Sequence, residues 1–129
     1  MNRKQILVVD DDQAMRDIIA SAFRDEGYDV TTAETGEEAL TILENEPIQV
    51  HFLDLQLPGI TGLEVCKTIR ERNPIAISFA MTGYVSVFHL IQCREVGFED
   101  FFVKPFNVEL LIKVAEQAFE KLDRWRRGH

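Results

Sequence analysis

The sequence predicts an α/β fold in which a five-stranded parallel sheet carries helices on both faces. Short apolar runs alternate five times with segments whose apolar residues recur at helical spacing. Parallel strands need long crossover connections, and helices covering both faces explain why such strands are apolar throughout. The 129 residues suit one domain with one core, and no linker, low-complexity segment or repeat divides them.

The strand predictions rest on short runs that are apolar or rich in β-branched residues. The first run, Ile6-Leu7-Val8-Val9, is continuously apolar, which is typical of a strand buried on both faces. The second run, residues 29–33, is more polar and is therefore expected nearer an edge of the sheet. The remaining predicted strands are residues 50–54, 75–81 and 101–103.

The helix predictions combine apolar periodicity with start and stop signals. The predicted N-caps are Asp12, Thr35, Thr61 and Asn107, and a glutamate three residues after each threonine predicts a capping box. Glycine or proline is expected to end the first four helices. The predicted helices are residues 13–26, a segment between 35 and 47, and residues 62–72, 85–96 and 108–127.

Composition excludes several classes of function. The net charge of −8 argues against sequence-independent binding to nucleic acid, so we expect no direct nucleic acid binding. No apolar stretch approaches the roughly 20 residues that span a bilayer, and the apolar run near the start is too short for a signal peptide. We therefore expect a cytoplasmic protein without a membrane partner. Cys66 and Cys93 lack metal-ligand spacing and are interpreted as packing residues without a disulfide.

Polar residues follow four of the predicted strands. They are Asp10-Asp11-Asp12, Asp54, Thr82-Gly83 and Lys104-Pro105. In a doubly wound parallel sheet, ligands bind beyond the carboxyl ends of the strands, where the winding direction reverses. We therefore expect these four groups to meet at one edge of the sheet.

These groups together permit phosphoryl chemistry with a divalent cation. Neighbouring carboxylates repel each other, and Mg²⁺ relieves that repulsion through one or two carboxylates, waters and a substrate phosphate. We favour metal binding for Asp10 and Asp11 and the role of helix cap for Asp12. Asp54 can attack phosphorus as a nucleophile, with Lys104 and Thr82 stabilising the phosphoryl oxygens. Each residue also has an ordinary interpretation: the aspartates as solvated acids, Lys104 as a surface lysine and Thr82 as a turn residue. The occurrence of all of them at strand ends favours a functional site.

Other common sites are not indicated. A bound nucleotide or flavin phosphate usually lies on a Gly-rich or Ser/Thr-rich loop after the first strand, where this chain carries three aspartates. The histidines His51, His89 and His129 are far apart in the pattern and suggest neither a catalytic triad nor a zinc site.

The quoted motifs resemble the receiver domain of two-component response regulators. The matching segments are residues 6–12, 52–62, 81–83 and 103–106, in the order of that family. The resemblance covers about residues 4–122 and implies a single receiver domain over residues 1–129, with 123–129 as the end of the last helix or a linker. It also implies a flavodoxin-like sheet with the strand order 2-1-3-4-5 and a bacterial signalling context.

The resemblance assigns a role to each residue at the strand ends. Asp54 is implied to be phosphorylated, with Thr82 bonded to the phosphoryl group and Lys104 paired with it. Asp11 and Asp54 are implied to coordinate Mg²⁺ directly, and Asp10 mostly through water. The backbone carbonyl of Gln56 is implied as a further Mg²⁺ ligand.

The resemblance also implies how the domain switches and with what it interacts. Lys104-Pro105 is implied to be a cis peptide. Thr82 is implied to move toward the phosphoryl group, leaving space for Phe101, where many members have Tyr; plain core packing is the alternative for Phe101. The donor is implied to be a sensor histidine kinase or phosphotransfer protein. The fourth helix, fifth strand and fifth helix then bind a downstream effector protein or domain. We also expect a phosphorylation-dependent homodimer through the last helix.

Two other classes of function stay open at this point. In a haloacid-dehalogenase-like phosphatase, Asp10 would be the nucleophile and Asp12 the general acid, but Asp54 would have no clear role. A pseudo-receiver would serve only as a docking module and would not accept phosphate. Under the favoured interpretation the chain is not an enzyme, beyond promoting its own Mg²⁺-dependent phosphorylation and dephosphorylation.

Overall fold

A computed structural model describes residues 4–128. Within that range the chain forms five strands and five helices in strict alternation. The strands are β1 (Gln5–Val9), β2 (Asp29–Ala33), β3 (Val50–Asp54), β4 (Ile77–Thr82) and β5 (Asp100–Val103). The helices are α1 (Gln13–Asp25), α2 (Gly36–Asn45), α3 (Gly62–Arg72), α4 (Val87–Val96) and α5 (Val108–Arg126).

All five strands are parallel and lie in the order β2-β1-β3-β4-β5. The predicted fold class and strand order are therefore confirmed. The more polar β2 is an edge strand, as its sequence indicates. The central strands β1, β3 and β4 are buried along most of their length, because helices cover both faces of the sheet.

Alternating side chains of the strands feed two apolar layers, one on each face of the sheet. On one face, β1 contributes Ile6 and Val8 to a layer closed by α1 and α5. A row of phenylalanines crosses this layer, with ring centroids 4.9 Å apart between Phe52 and Phe79. On the other face, Leu7 and its neighbours pack against residues of α2, α3 and α4. The sheet is thus held rigidly from both sides, which fixes the positions of the strand ends.

Most helix ends follow the predicted capping signals. Asp12 caps α1 by accepting hydrogen bonds from the backbone N–H groups of Ala14 and Met15. Thr61 and Glu64 form the predicted capping box at α3. The box predicted at Thr35 is only half formed, because the Glu38 carboxylate accepts from the backbone N–H of Glu34 instead.

Two predicted boundaries were wrong by two residues, and several others differ by one residue. β4 begins at Ile77 rather than at residue 75, because Asn73 and Ala76 close a turn through a 3.1 Å backbone hydrogen bond. Ile75 is consequently 47% exposed. α4 begins at Val87 rather than at residue 85, because the Ser86 hydroxyl caps it by accepting from the backbone N–H of His89.

Helix α4 differs from the other helices in how it presents apolar residues. It buries Cys93, while Val87 and Phe88 are 73% and 68% exposed. Tyr84 and Ile91, near them in sequence, are also exposed. Because an exposed apolar patch on a small domain commonly marks an interaction site, this surface bears on function.

Candidate functional site

The four predicted groups lie at the carboxyl edge of the sheet. Asp54 and Thr82 are the last residues of the adjacent strands β3 and β4. Asp10 directly follows β1, and Lys104 directly follows β5. Parallel strands place their carboxyl ends on the same side, which is why residues up to 94 positions apart in sequence meet here.

Lys104 joins two of the carboxylates. Its Nζ donates to Asp10 Oδ2 at 2.7 Å and to Asp54 Oδ2 at 3.1 Å. Both carboxylates are buried, while the Lys104 side chain keeps 21% of its surface exposed. One positive charge therefore faces two buried negative charges. The Lys104–Pro105 peptide bond is cis, as the resemblance predicts.

Protein donors contact both carboxylate oxygens and the backbone carbonyl of Asp10. Its Oδ2 accepts from Lys104, and its Oδ1 accepts from the backbone N–H of Asp12 at 2.9 Å. Its backbone carbonyl accepts from Arg16 Nη1 at 2.8 Å. Each carboxylate oxygen of Asp10 therefore already accepts one hydrogen bond from the protein, as do both carboxylate oxygens of Asp54.

Asp10, Asp11 and Asp54 form a possible cation site. One carboxylate oxygen from each lies within 4.8 Å of the others, and this is a potential metal cluster among the described residues. Asp11 is exposed and directly follows buried Asp10, so it offers its carboxylate from the solvent side. Carboxylate oxygens with open access to water are the donor set that Mg²⁺ prefers. The residues present therefore fit a magnesium ion.

Electrostatics set the Asp54 carboxyl apart from an ordinary surface acid. The pKa of Asp54 is raised overall. Burial, the largest cause, and the Asp10 carboxylate raise it, whereas the hydrogen bond from the Gln56 N–H and the contact with Lys104 lower it. Burial alone lowers the pKa of Lys104, but bonding and attraction to Asp10 and Asp54 raise it overall. The cluster thus holds more negative charge than Lys104 neutralises, which favours a cation and a reactive carboxylate.

The Thr82 hydroxyl belongs to a small network at the end of β4. It accepts from the backbone N–H of Tyr84 at 3.0 Å and lies 2.7 Å from the Tyr84 carbonyl oxygen and 3.2 Å from Gln56 Oε1. The Gly83 N–H also donates to Gln56 Oε1, at 3.4 Å. Thr82 is therefore positioned beside the site, with its hydroxyl engaged by the turn.

The backbone after β3 is tightly packed and fixes Asp54. The Gln56 N–H donates to Asp54 Oδ1 at 2.9 Å, and the Gly62 N–H donates to the Leu55 carbonyl at 3.2 Å. A Cβ on Gly62 would overlap the Asp54 carbonyl oxygen and lie 2.9 Å from the Leu55 Cα. The start of α3 can approach the site this closely only because residue 62 is glycine.

Phe101 lies in β5 on the side of the sheet that packs against α4. It is partly buried against the apolar layer there and lines a groove with Leu90, Cys93 and Arg94. The structure thus places this aromatic ring next to α4, in a half-buried position.

Two further polar features are structural. His51 is fully buried, with Nδ1 2.9 Å from Ser78 Oγ and Nε2 2.7 Å from the Ile48 carbonyl oxygen. Burial lowers the pKa of His51 to about 4. Cys66 and Cys93 are free, buried thiols, which confirms the packing interpretation, and burial raises the pKa of Cys66 to about 12.

Sequence analysis missed two contacts that organise the site. Arg16 anchors the Asp10 backbone and lies 3.9 Å from Glu34, which follows β2. The Gln56 side chain reaches across to Thr82 and Gly83. Arg16 could have been suspected from its place one turn after the Asp12 cap, but its partner depends on the packing of two loops. The reach of Gln56 has no sequence signal.

Comparison with known proteins identifies the family. The sequence model of the response regulator receiver domain matches residues 6–116. A crystal structure of a CheY-like receiver domain protein from Methanospirillum hungatei superimposes with a TM-score of 0.88 at 31% identity, covering 95% of this chain and 99% of the other. The chain belongs to the response regulator receiver domain family. Members of this family are phosphorylation-controlled switches of two-component signalling and bind Mg²⁺ at an acidic pocket.

The curated relatives are longer than this chain. A cyclic di-GMP phosphodiesterase of Thermotoga maritima is 37% identical over 106 residues, which are 82% of this chain and 28% of that protein. The alkaline phosphatase synthesis transcriptional regulatory protein PhoP of Bacillus subtilis is 37% identical over 107 residues, 83% of this chain and 44% of that protein.

Within residues 4–128, none of the helices has both the length and the apolar character needed to cross a bilayer.

Proposed function

We propose that Asp54 is the residue that accepts the phosphoryl group in this switch. The observation that carries the proposal is its position at the rim of the sheet, where Asp10 and Asp11 surround it and Lys104 bridges to it. The donor is the phosphohistidine of a sensor histidine kinase or phosphotransfer protein, or a small phosphodonor. In this proposal the domain promotes only its own phosphorylation and dephosphorylation.

The proposed reaction is a displacement at phosphorus. An Asp54 carboxylate oxygen forms the new P–O bond, the P–N bond to the donor histidine breaks, and its electron pair returns to the imidazole nitrogen. Lys104, already 3.1 Å from Asp54 Oδ2, faces the phosphoryl oxygens as negative charge spreads over them. Asp11, Asp54 and the Gln56 carbonyl, with Asp10 through water, would hold Mg²⁺, which would supply further neutralising charge.

The proposed switch follows from the added charge. A phosphoryl group brings about −1.5 to −2 charges and strong acceptor oxygens. The Thr82 hydroxyl would turn from the Tyr84 carbonyl toward these oxygens. Phe101, half-buried against α4, would then move into the space beside β4. The outcome is a changed surface on α4, β5 and α5.

That surface is the proposed contact for a downstream effector protein or domain. Val87, Phe88 and Ile91 of α4 are exposed, and Val103 of β5 and Leu110 of α5 are also exposed large apolar residues.

We propose in addition that phosphorylation promotes a homodimer through α5. Sedimentation with and without beryllofluoride, a phosphoryl analogue, tests this; a monomer under both conditions contradicts it. With these partners, the proposed location of the protein is the cytoplasm.

Incubation with acetyl phosphate and Mg²⁺ tests the proposed acceptor. The intact protein is expected to gain one phosphoryl mass, and Asp54→Asn is expected to abolish the gain because it removes the nucleophile. Asp10→Asn is the matched variant: it removes a carboxylate also bonded to Lys104, and we expect slower labelling rather than none.

The same experiment separates the alternatives. Persistent labelling of Asp54→Asn together with loss in Asp10→Asn would indicate the phosphatase interpretation. No labelling of the wild type, with no binding of beryllofluoride, would indicate a docking module that does not accept phosphate.

A further inference from the structure

Arg16 connects the loop that carries the acidic residues to the neighbouring strand end. Its Nη1 donates to the backbone carbonyl of Asp10 at 2.8 Å, and its Nη2 lies 3.9 Å from Glu34 Oε2. The Arg16 side chain keeps only 14% of its surface exposed. One half-buried guanidinium therefore holds together the residue that follows β1 and the residue that follows β2.

The bond to the Asp10 carbonyl fixes the backbone that leads into Asp11. The Asp10 N–H donates to the Ala33 carbonyl at 3.1 Å, so Arg16 holds the other polar backbone group of the same residue. The Asp10 carbonyl and the Asp11 N–H belong to one planar peptide unit. Holding that carbonyl sets the direction in which the chain, and with it the exposed Asp11 side chain, continues beyond the strand.

The position of Arg16 in α1 is unfavourable for the helix itself. Arg16 is the fourth residue of α1, whose first turn contains no acidic residue. A positive charge near a helix N-terminus opposes the helix dipole. Its short hydrogen bond goes to a backbone carbonyl of the acidic loop, so the contribution of Arg16 is to that loop rather than to the helix.

We propose that Arg16 is a positioning residue for the magnesium site, because it holds the Asp10–Asp11 peptide in the orientation that brings the Asp11 carboxylate to the site. One carboxylate oxygen of Asp11 lies within 4.8 Å of one from Asp54. Like charges at this separation repel each other, and a mobile loop would relieve the repulsion by moving Asp11 into water. The proposal rests on the magnesium site and adds the residue that preforms it.

Arg16 has two effects on Mg²⁺ affinity, and they have opposite signs. A positive charge near the site repels the ion, so loss of the charge alone would make Mg²⁺ bind more tightly. Groups that orient metal ligands without touching the metal contribute about 10-fold to 100-fold in affinity. We expect the lower end of that range, because Arg16 holds the backbone of a ligand rather than its carboxylate. The sign of the change therefore separates positioning from charge.

Arg16→Met tests the proposal, with Mg²⁺ affinity measured by calorimetry on the unphosphorylated chain. We expect binding about tenfold weaker than in the wild type. Arg24→Met is the matched control, because Arg24 lies in the last turn of the same helix and donates to the Val30 carbonyl at 3.0 Å. Val30 pairs with Ile6, roughly 13 Å before Asp10 along β1, so salt screens the lost charge. Its Mg²⁺ affinity should stay within about twofold of the wild type.

A second variant and a metal-free measurement separate positioning from charge and from folding. Arg16→Lys keeps the charge but has a single ammonium in place of the forked guanidinium, so Mg²⁺ binding should weaken by about two- to fivefold. Without metal, the Asp12 N–H donates to Asp10 Oδ1. Its hydrogen exchange, followed by NMR, should be faster in Arg16→Met than in the wild type and unchanged in Arg24→Met.

Unchanged or tighter Mg²⁺ binding by both Arg16 variants would overturn the proposal while leaving the magnesium site and Asp54 phosphorylation intact. Equal weakening by Arg16→Met and Arg24→Met would also overturn it, because the effect would then not depend on the contact with Asp10. No Mg²⁺ binding by the wild type would instead overturn the magnesium site itself.

Discussion

His51 and Asp54 lie on the same strand, β3, and both side chains are buried, yet their surroundings differ in kind. Protein groups satisfy both ring nitrogens of His51, and its neutral form is favoured. Asp54 shares its surroundings with two other carboxylates and one lysine, so its charge remains only partly compensated. The comparison teaches that burial of a polar residue is not by itself a sign of function. A charge that is only partly compensated, at the open carboxyl edge of the sheet, is the stronger sign.

The largest expected effect concerns His51 and pH. Unfolded histidine binds a proton near pH 6.5, whereas folded His51 does so only near pH 4. As pH falls from 6.5 to 4, protonation favours the unfolded chain by about 3 kcal/mol, and this contribution is absent above pH 7. Denaturant unfolding at pH 7 and pH 4 measures it, with His51→Gln as the variant that cannot titrate. An equal pH dependence in both proteins would contradict the closed environment of His51.

Gly62→Ala tests how closely the backbone supports Asp54. The added methyl group overlaps the Asp54 carbonyl oxygen, and we expect the free energy of unfolding to fall by about 1 to 3 kcal/mol. Gly83→Ala is the matched control, because a Cβ there meets nothing within 4 Å and no unusual backbone angle is required. Its effect should stay within about 0.5 kcal/mol. Equal losses from the two substitutions would show that the approach of α3 is less close than described.

Lys104→Met tests the charge difference between the surroundings of Asp54 and those of His51. It leaves Asp10 and Asp54 without their shared cation, so we expect a loss of about 1 to 2 kcal/mol, less than for a fully buried pair because Lys104 is partly exposed. Added Mg²⁺ should stabilise this variant more than the wild type, because it faces a larger excess of negative charge. Thermal unfolding with and without Mg²⁺ measures both effects. An identical response of both proteins to Mg²⁺ would argue against a cation site at this cluster.

The smallest expected effect comes from an ion pair on the surface. Lys121 Nζ lies 3.3 Å from Glu99 Oε1, and both side chains are nearly half exposed. Glu99→Gln should change the free energy of unfolding by less than about 1 kcal/mol, and added salt should reduce the difference. A loss as large as that of Lys104→Met would mean that burial does not distinguish the two lysines.

Sequence patterns were sufficient to predict the fold and to predict that the site residues lie close together. Periodicity and caps located every element, and the geometry of parallel sheets required Asp10, Asp54, Thr82 and Lys104 to share one edge. Boundaries failed where a side chain or turn competed locally, as at the Ser86 cap and the turn closed by Asn73. The contacts of Arg16 and the Gln56 amide were not predictable, because they depend on loop packing across elements.

The most direct test of the central claim is to locate the phosphoryl group on the wild-type chain. After incubation with acetyl phosphate and Mg²⁺, borohydride reduction converts an aspartyl phosphate into homoserine, which peptide mass spectrometry can place. We predict homoserine at position 54 and unmodified aspartate at positions 10 and 11. Modification at position 10 or 11, or none in the peptide containing Asp54, would contradict the account.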